Sequence, residues 1–175
     1  IALSLVGSEM CIRDREEMWP RVWQMACREE EIPEPGDHHV YWIIDRSVIV
    51  TRTPSGEIKG YINSCRHRGR CLLDESGSVD KFRCPFHGAT WDLNGQFQGI
   101  PNQWDYEHIE VRDMSQPQVK VATWGGFVFI NFDQDAPPLE DYMEVLPDHF
   151  KRFPLEEYFT GCLLYTSDAA DEERG

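Results

Sequence analysis

No stretch of about 18 consecutive apolar residues occurs in the chain, so no membrane-spanning helix is expected. The apolar start Ile1–Val6 is short and has no basic flank, and is not expected to act as a signal peptide. Basic residues are in the minority, with 17 Lys and Arg against 31 Asp and Glu and a net charge of −14. Such acidity argues against nucleic-acid binding. Cysteine is sparse as well, with six residues, of which Cys11 and Cys162 lie in the end segments discussed next. Cys27, Cys65, Cys71 and Cys84 imply no disulfide framework, which fits a reducing bacterial cytoplasm. Internal repeats and low-complexity stretches are missing too. A chain of 175 residues with these properties reads as one small domain with appendages.

The two ends look foreign. Met10-Cys11-Ile12-Arg13-Asp14 can be encoded by ATG TGT ATA AGA GAC. With flanking bases, the reverse complement of that DNA encodes Cys162-Leu163-Leu164-Tyr165-Thr166-Ser167. Inverted copies of one DNA sequence, in different frames, thus stand at both ends, and they resemble a transposon end used to tag sequencing libraries. Segments 1–15 and 162–175 are therefore expected to be adapter-derived and are set aside from fold reasoning. The remainder divides into a helical lead-in (16–37), a main domain (38–133) and a linker (134–161) toward a catalytic domain expected to be missing. It remains acidic without the ends.

What is present is concentrated in two short segments, Cys65-Arg66-His67-Arg68-Gly69 and Cys84-Pro85-Phe86-His87-Gly88. They give Cys-x-His, a spacer of 16 residues, then Cys-x-x-His. Two thiolates and two imidazoles so arranged can hold a [2Fe–2S] cluster, the cysteines on one iron and the histidines on the other. Each segment then offers one ligand to each iron. Two ferric ions, two sulfides and two thiolates leave the oxidised cluster neutral, so it accepts an electron more readily than an all-cysteine cluster does. Potentials are roughly −150 to +300 mV against about −400 mV. Gly69 and Gly88 stand where the chain must turn tightly, and Pro85 stiffens the second segment. Zinc is the alternative for two cysteines and two histidines, but finger-like sites favour Cys-x₂₋₄-Cys and His-x₃₋₅-His spacing. A nucleophilic Cys–His pair would not need the second pair.

The words Cys65-Arg66-His67-Arg68-Gly69 and Cys84-Pro85-Phe86-His87-Gly88-Ala89-Thr90-Trp91-Asp92-Leu93-Asn94-Gly95 resemble the Rieske domain of bacterial aromatic-ring-hydroxylating oxygenase α subunits. Residues 31–37 and 125–131 look like the same family, and the resemblance covers about residues 16–161. Respiratory and photosynthetic Rieske proteins usually carry an extra cysteine in each loop; here Arg70 and Phe86 occupy those places. The resemblance implies that an NAD(P)H-dependent reductase, sometimes through a ferredoxin, reduces the cluster. Electrons then pass to a mononuclear Fe(II) in the catalytic domain of the same or a neighbouring subunit, often within a trimer. That iron activates O₂ and hydroxylates the substrate. Within this chain only Cys65, His67, Cys84 and His87 are expected to act, as cluster ligands and electron carriers. A stand-alone Rieske ferredoxin and a Rieske oxygenase acting on a non-aromatic amine are the alternatives.

The fold expected is mostly β: a Rieske-type domain of small antiparallel sheets with short helical segments at each end. A helix is expected near residues 16–22, limited by Pro20. Strands are expected at 23–27, 39–44, 48–53, 58–63, 79–83, 90–93, 96–98, 119–123 and 127–132. Turns fall at Asp45-Arg46, Pro54-Ser55-Gly56, Asn94-Gly95 (a type I′ signal) and Trp124-Gly125-Gly126. Residues 139–146 and 148–153 read as helical. Arg66, Arg68 and Arg70 are candidates for docking an acidic partner, or solvated charges paired with Asp74 or Glu75. Asp105-Tyr106-Glu107-His108 imitates the start of an oxygenase iron motif, but the next histidine is His149, so the two-His-one-carboxylate triad is not expected here. His38, His39 and His149 are expected at the surface, and Trp91, Trp104, Trp124 and Phe127 as core and cover.

Overall fold

A computed structural model describes residues 12–105 and 114–161. The adapter-like segments 1–11 and 162–175, and His108 with its neighbours, lie outside the described residues. Among the described residues, ten strands form two antiparallel sheets. They are β1 (Gln24–Arg28), β2 (Asp37–Ile43), β3 (Arg46–Arg52), β4 (Ile58–Ile62), β5 (Gly77–Ser78), β6 (Phe82–Arg83), β7 (Thr90–Trp91), β8 (Phe97–Gly99), β9 (Gln118–Trp124) and β10 (Phe127–Asn131). The larger sheet has the order β1-β10-β9-β4-β3-β2-β5 and the smaller β6-β7-β8.

Strand β3 shows why two layers form. Residues Ser47 to Thr51 are all buried, so both faces of the strand are covered. Val48 and Val50 point into the core of the large sheet, beside Ile32, Val119, Val128 and Ile130. Ile49 points the other way, into the cluster of Tyr61, Phe82, Trp91 and Phe97 between the sheets. Successive side chains alternate across a strand, so an unbroken apolar run requires a partner layer on each side.

Turn chemistry departs from expectation in two hairpins. Between β7 and β8, Gly95 N–H bonds to Asp92 O at 2.9 Å. Asp92 Oδ1 accepts the N–H groups of Asn94 and Gln96, each at 2.9 Å. Gly95 has φ 75° while Asn94 stays on the negative side, which gives a three-residue loop closed by a bulge rather than type I′. The aspartate's hold on two backbone amides decides it. The type I′ geometry occurs instead at Gly125-Gly126, with φ 58° and 78°, between Trp124 and Phe127. The β2–β3 turn is built from Ile44 and Asp45, one residue earlier than expected, and sets Ile44 at φ 56°.

The lead-in is less helical than expected. A single π-helical turn, Asp14–Met18, stops before Pro20, and β1 follows as an outer strand paired with β10. Segment 16–37 is thus partly woven into the main sheet. Beyond β10, Leu139–Met143 and Leu146–Phe150 form two short α-helical turns. Leu139 and Met143 pack with Trp23 against Ala122, Trp124 and Phe129. Residues 155–160 are latched onto the sheet near its β9–β10 turn. Arg28 Nη2 donates to Leu155 O at 3.0 Å and also to Tyr158 O. Glu30 Oε1 accepts both the backbone N–H and the hydroxyl of Thr160, each at 2.9 Å. The Thr160 N–H, ahead of the opposing effect of burial, holds the Glu30 carboxyl below its ordinary range.

Candidate metal centre

The two cysteine–histidine segments fold as near-copies. Cys65 N–H bonds to Arg70 O at 2.8 Å, and Cys84 N–H to Ala89 O at 2.8 Å. Gly69 N–H returns to Cys65 O at 2.9 Å, and Gly88 N–H to Cys84 O at 3.0 Å. Both glycines adopt the left-handed conformation, with φ 73° and 76°, where a side chain is strained. Each loop therefore buries its cysteine at the base and lifts its histidine to the tip.

The four candidate ligands stand as two pairs. Cys65 and Cys84 are buried free thiols, and their side chains meet within hydrogen-bonding reach. His67 and His87 are exposed, with ring centroids 4.9 Å apart at an interplanar angle of 60°. Among the described residues, no three His, Cys, Asp or Glu side chains close on one point, as a single zinc ion would require. Burial pushes the Cys65 thiol up, and Cys84 beside it adds to the rise. The N–H groups of His67 and Arg68 aim at the sulfur and pull the other way, as they would for a thiolate. A cavity of about 360 Å³ touches Cys65, Arg66, His67, His87, Ala89, Ile100, Pro101 and Met114. Thiols below, imidazoles above and a cavity alongside fit a binuclear cluster bound by unlike pairs. Phe86 leans on His87, centroids 4.0 Å apart, and is itself 59 % exposed.

A family model for the Rieske [2Fe–2S] domain matches residues 22–123. The chain belongs to that family. The cofactor of this domain is accordingly a Rieske [2Fe–2S] cluster. The α subunit of biphenyl 2,3-dioxygenase from Rhodococcus jostii is 32 % identical over 133 residues, covering 75 % of this chain and 29 % of the relative. The oxygenase subunit of glycine betaine monooxygenase from Pseudomonas aeruginosa is 30 % identical, covering 82 % and 33 %. A solved naphthalene 1,2-dioxygenase with indole in its active site superposes with a TM-score of 0.77 at 32 % identity, over 82 % of this chain and 33 % of that one. The chain thus spans about a third of the length of these relatives.

Other candidates have been redistributed. His38 is buried, at 3 % exposure, with its ring nitrogens 3.4 Å from Gly36 O and 3.1 Å from Glu75 O. It belongs to the β2–β5 seam rather than to the surface. His39 sits 3.2 Å from Glu31, and exposed His149 contacts Val145 O. Trp91 is fully buried and donates to Met114 O at 2.6 Å, as core packing requires. Trp104 is 73 % exposed, which removes it from the core. Arg70 pairs with Asp74 at 3.2 Å on the surface. One residue escaped sequence reading. Asn63, two positions before Cys65, is buried and makes four side-chain hydrogen bonds around the first loop. No local signal marks it, because its side-chain partners all lie nine or more residues away in sequence.

Proposed function

We propose that Cys65, His67, Cys84 and His87 hold the Rieske cluster and that this chain carries electrons to the mononuclear iron of a ring-hydroxylating oxygenase, in a catalytic part that lies outside it. The observation that carries this reading is a buried, touching thiol pair and an exposed, touching imidazole pair carried by the same two loops. When bound, the cluster supplies a reversible one-electron couple. The protein supplies the rest. Leu72, Phe82, Ala89 and Trp91 keep water from the sulfur side. Backbone N–H groups of His67 and Arg68 compensate charge at the Cys65 sulfur. In the loaded protein one ring nitrogen of each imidazole would hold iron, leaving the other at the exposed face, where it could hydrogen-bond a partner.

The partners we infer are an NAD(P)H-dependent reductase or ferredoxin upstream, and a catalytic domain of the same or a neighbouring α subunit in a trimer downstream. Arg66, Arg68 and Arg70, exposed around the first loop, suit an acidic docking face in a protein that is otherwise acidic. Four free cysteines among the described residues suit a reducing cytoplasm. The match to a glycine betaine oxygenase subunit supports a second reading, in which the substrate is a non-aromatic amine. Segments 1–15 and 162–175 we read as adapter-derived. Brief proteolysis should remove both while the cluster survives.

Iron and sulfide analysis, absorption and electron paramagnetic resonance on the purified chain give the test. Two irons, two sulfides and one accepted electron are expected, with no oxidation of biphenyl or glycine betaine by the chain alone. Replacing Cys65, His67, Cys84 or His87 by alanine should each abolish the Rieske signal, whereas Cys27→Ala and Cys71→Ala should retain it. An intact signal in Cys84→Ala would sink the ligand assignment.

A further inference from the structure

The first cluster loop leaves β4 at Ile62 and returns at Leu72, and among the described residues no strand pair closes its base. One side chain does that work. Asn63 Oδ1 accepts the N–H of Leu72 at 2.9 Å and of Leu73 at 3.1 Å. Asn63 Nδ2 donates to Leu73 O at 2.6 Å and to Ser47 Oγ at 3.1 Å. Both donors and both acceptor sites of the carboxamide are used, and the two backbone donors fix which end is oxygen. Asn63 N–H adds a bond to Ser47 O at 2.9 Å, anchoring the departure point to β3. Leu72, held by this network, is buried in the same cluster as Cys65 and Cys84.

We propose that Asn63 is a positioning residue of the iron–sulfur centre: by joining the departing and returning ends of the first loop, it sets Cys65 and His67 against Cys84 and His87. The proposal rests on the ligand assignment above. Three features support it beyond burial. The carboxamide spans nine and ten residues of chain and so encloses the whole ligand loop. Other residue types cannot match it: aspartate accepts both amides but donates nothing, and glutamine adds a methylene to a packed site. A fully satisfied network in a buried setting is rigid, and rigidity here is transmitted to the ligands two and four residues away.

The test compares Asn63→Ala, Asn63→Asp and Ser47→Ala in the full chain, with iron content, reduction potential and the paramagnetic resonance spectrum as readouts. Asn63→Ala should at least halve the iron retained per chain after gel filtration and shift or broaden the resonance of what remains. Asn63→Asp keeps the two acceptor bonds to the amides and should retain more iron than alanine, with an altered potential. It also serves if the alanine variant fails to fold. Ser47→Ala removes one of the four side-chain partners of Asn63 and should change the spectrum in the same sense as Asn63→Ala but less. Parental spectrum and potential in both Asn63 variants would overturn the proposal, as would a larger change in Ser47→Ala than in Asn63→Ala. A parent chain with no Rieske signal at all would instead overturn the ligand assignment.

Discussion

The two ligand loops share their hydrogen bonds but not their foundations. The second loop stands on a β-hairpin: Phe82 pairs with Trp91 and Arg83 with Thr90 directly beneath Cys84 and Ala89. The first stands on the Asn63 carboxamide. Neighbouring side chains differ as well. A methyl group on Gly88 would meet Pro101 at 3.0 Å, whereas one on Gly69 would find only Ser64 Oγ, at 3.8 Å. One ligand pair can thus be presented by a sheet edge or by a polar staple, provided that the Cys–Gly geometry of the loop itself is kept. The contrast also implies that the second loop is overdetermined and the first depends on few atoms.

Removing the foundation of the second loop should have the largest effect. Trp91 is fully buried, stacks edge-on to Phe97 at 5.7 Å and pairs with Met114 O. Trp91→Ala should cost about 3–5 kcal/mol, read by chemical denaturation followed at the cluster's visible absorption. Equal stability in this variant would mean that the hairpin does not support the loop.

The glycines sharpen the comparison. Gly69→Ala should cost about 1–2 kcal/mol, the price of left-handed backbone alone. Gly88→Ala adds the contact with Pro101 and should cost about 1–3 kcal/mol more. Denaturation midpoints of the two variants check the order, and a reversed order would remove the steric distinction between the loops.

A milder effect concerns reduction by an acidic donor. If the loop arginines dock it, the rate should fall several-fold as salt is raised from about 0.01 to 0.15 M, because the screening length shrinks from about 30 to 8 Å. Stopped-flow reduction at several ionic strengths would show this, and a rate independent of salt would exclude the arginine face.

Cys27 lies outside both loops and should have no effect near neutral pH. Burial, with Glu31 and Glu29 adding to it, pushes its thiol up to about 12. The folded state therefore keeps a proton that the unfolded chain loses near pH 8.5. Stability should be unaffected below that value and fall above it, by no more than about 1.4 kcal/mol per pH unit until pH 12. Alkaline denaturation of Cys27→Ala should lack this component.

The contrast between the loops also explains what the sequence made legible. Cys65, His67, Cys84 and His87 could be found because ligand chemistry demands fixed spacing within a few residues. Most strands could be found because their apolar patterns and Gly-Pro punctuation are local. Asn63 could not, since its partners lie nine and ten residues ahead and at Ser47, and nothing local marks a carboxamide that closes a loop. His38 was misplaced for the same reason: its burial depends on Glu75 and the two-residue strand β5. The type I′ signal of Asn94-Gly95 was overridden by Asp92, a competing side chain only two residues away.

The latch formed by Arg28 and Glu30 on residues 155–160 gives the domain a mechanical character. It grips the Trp124 end of β9, near Gly125 and Gly126. The first ligand loop springs from the opposite end, where Gln118 pairs with Tyr61. Seven residues of strand separate the two poles, about 20 Å. The strap thus ties down the pole of the sheet remote from the first ligand loop, through the side chains of Arg28 and Glu30.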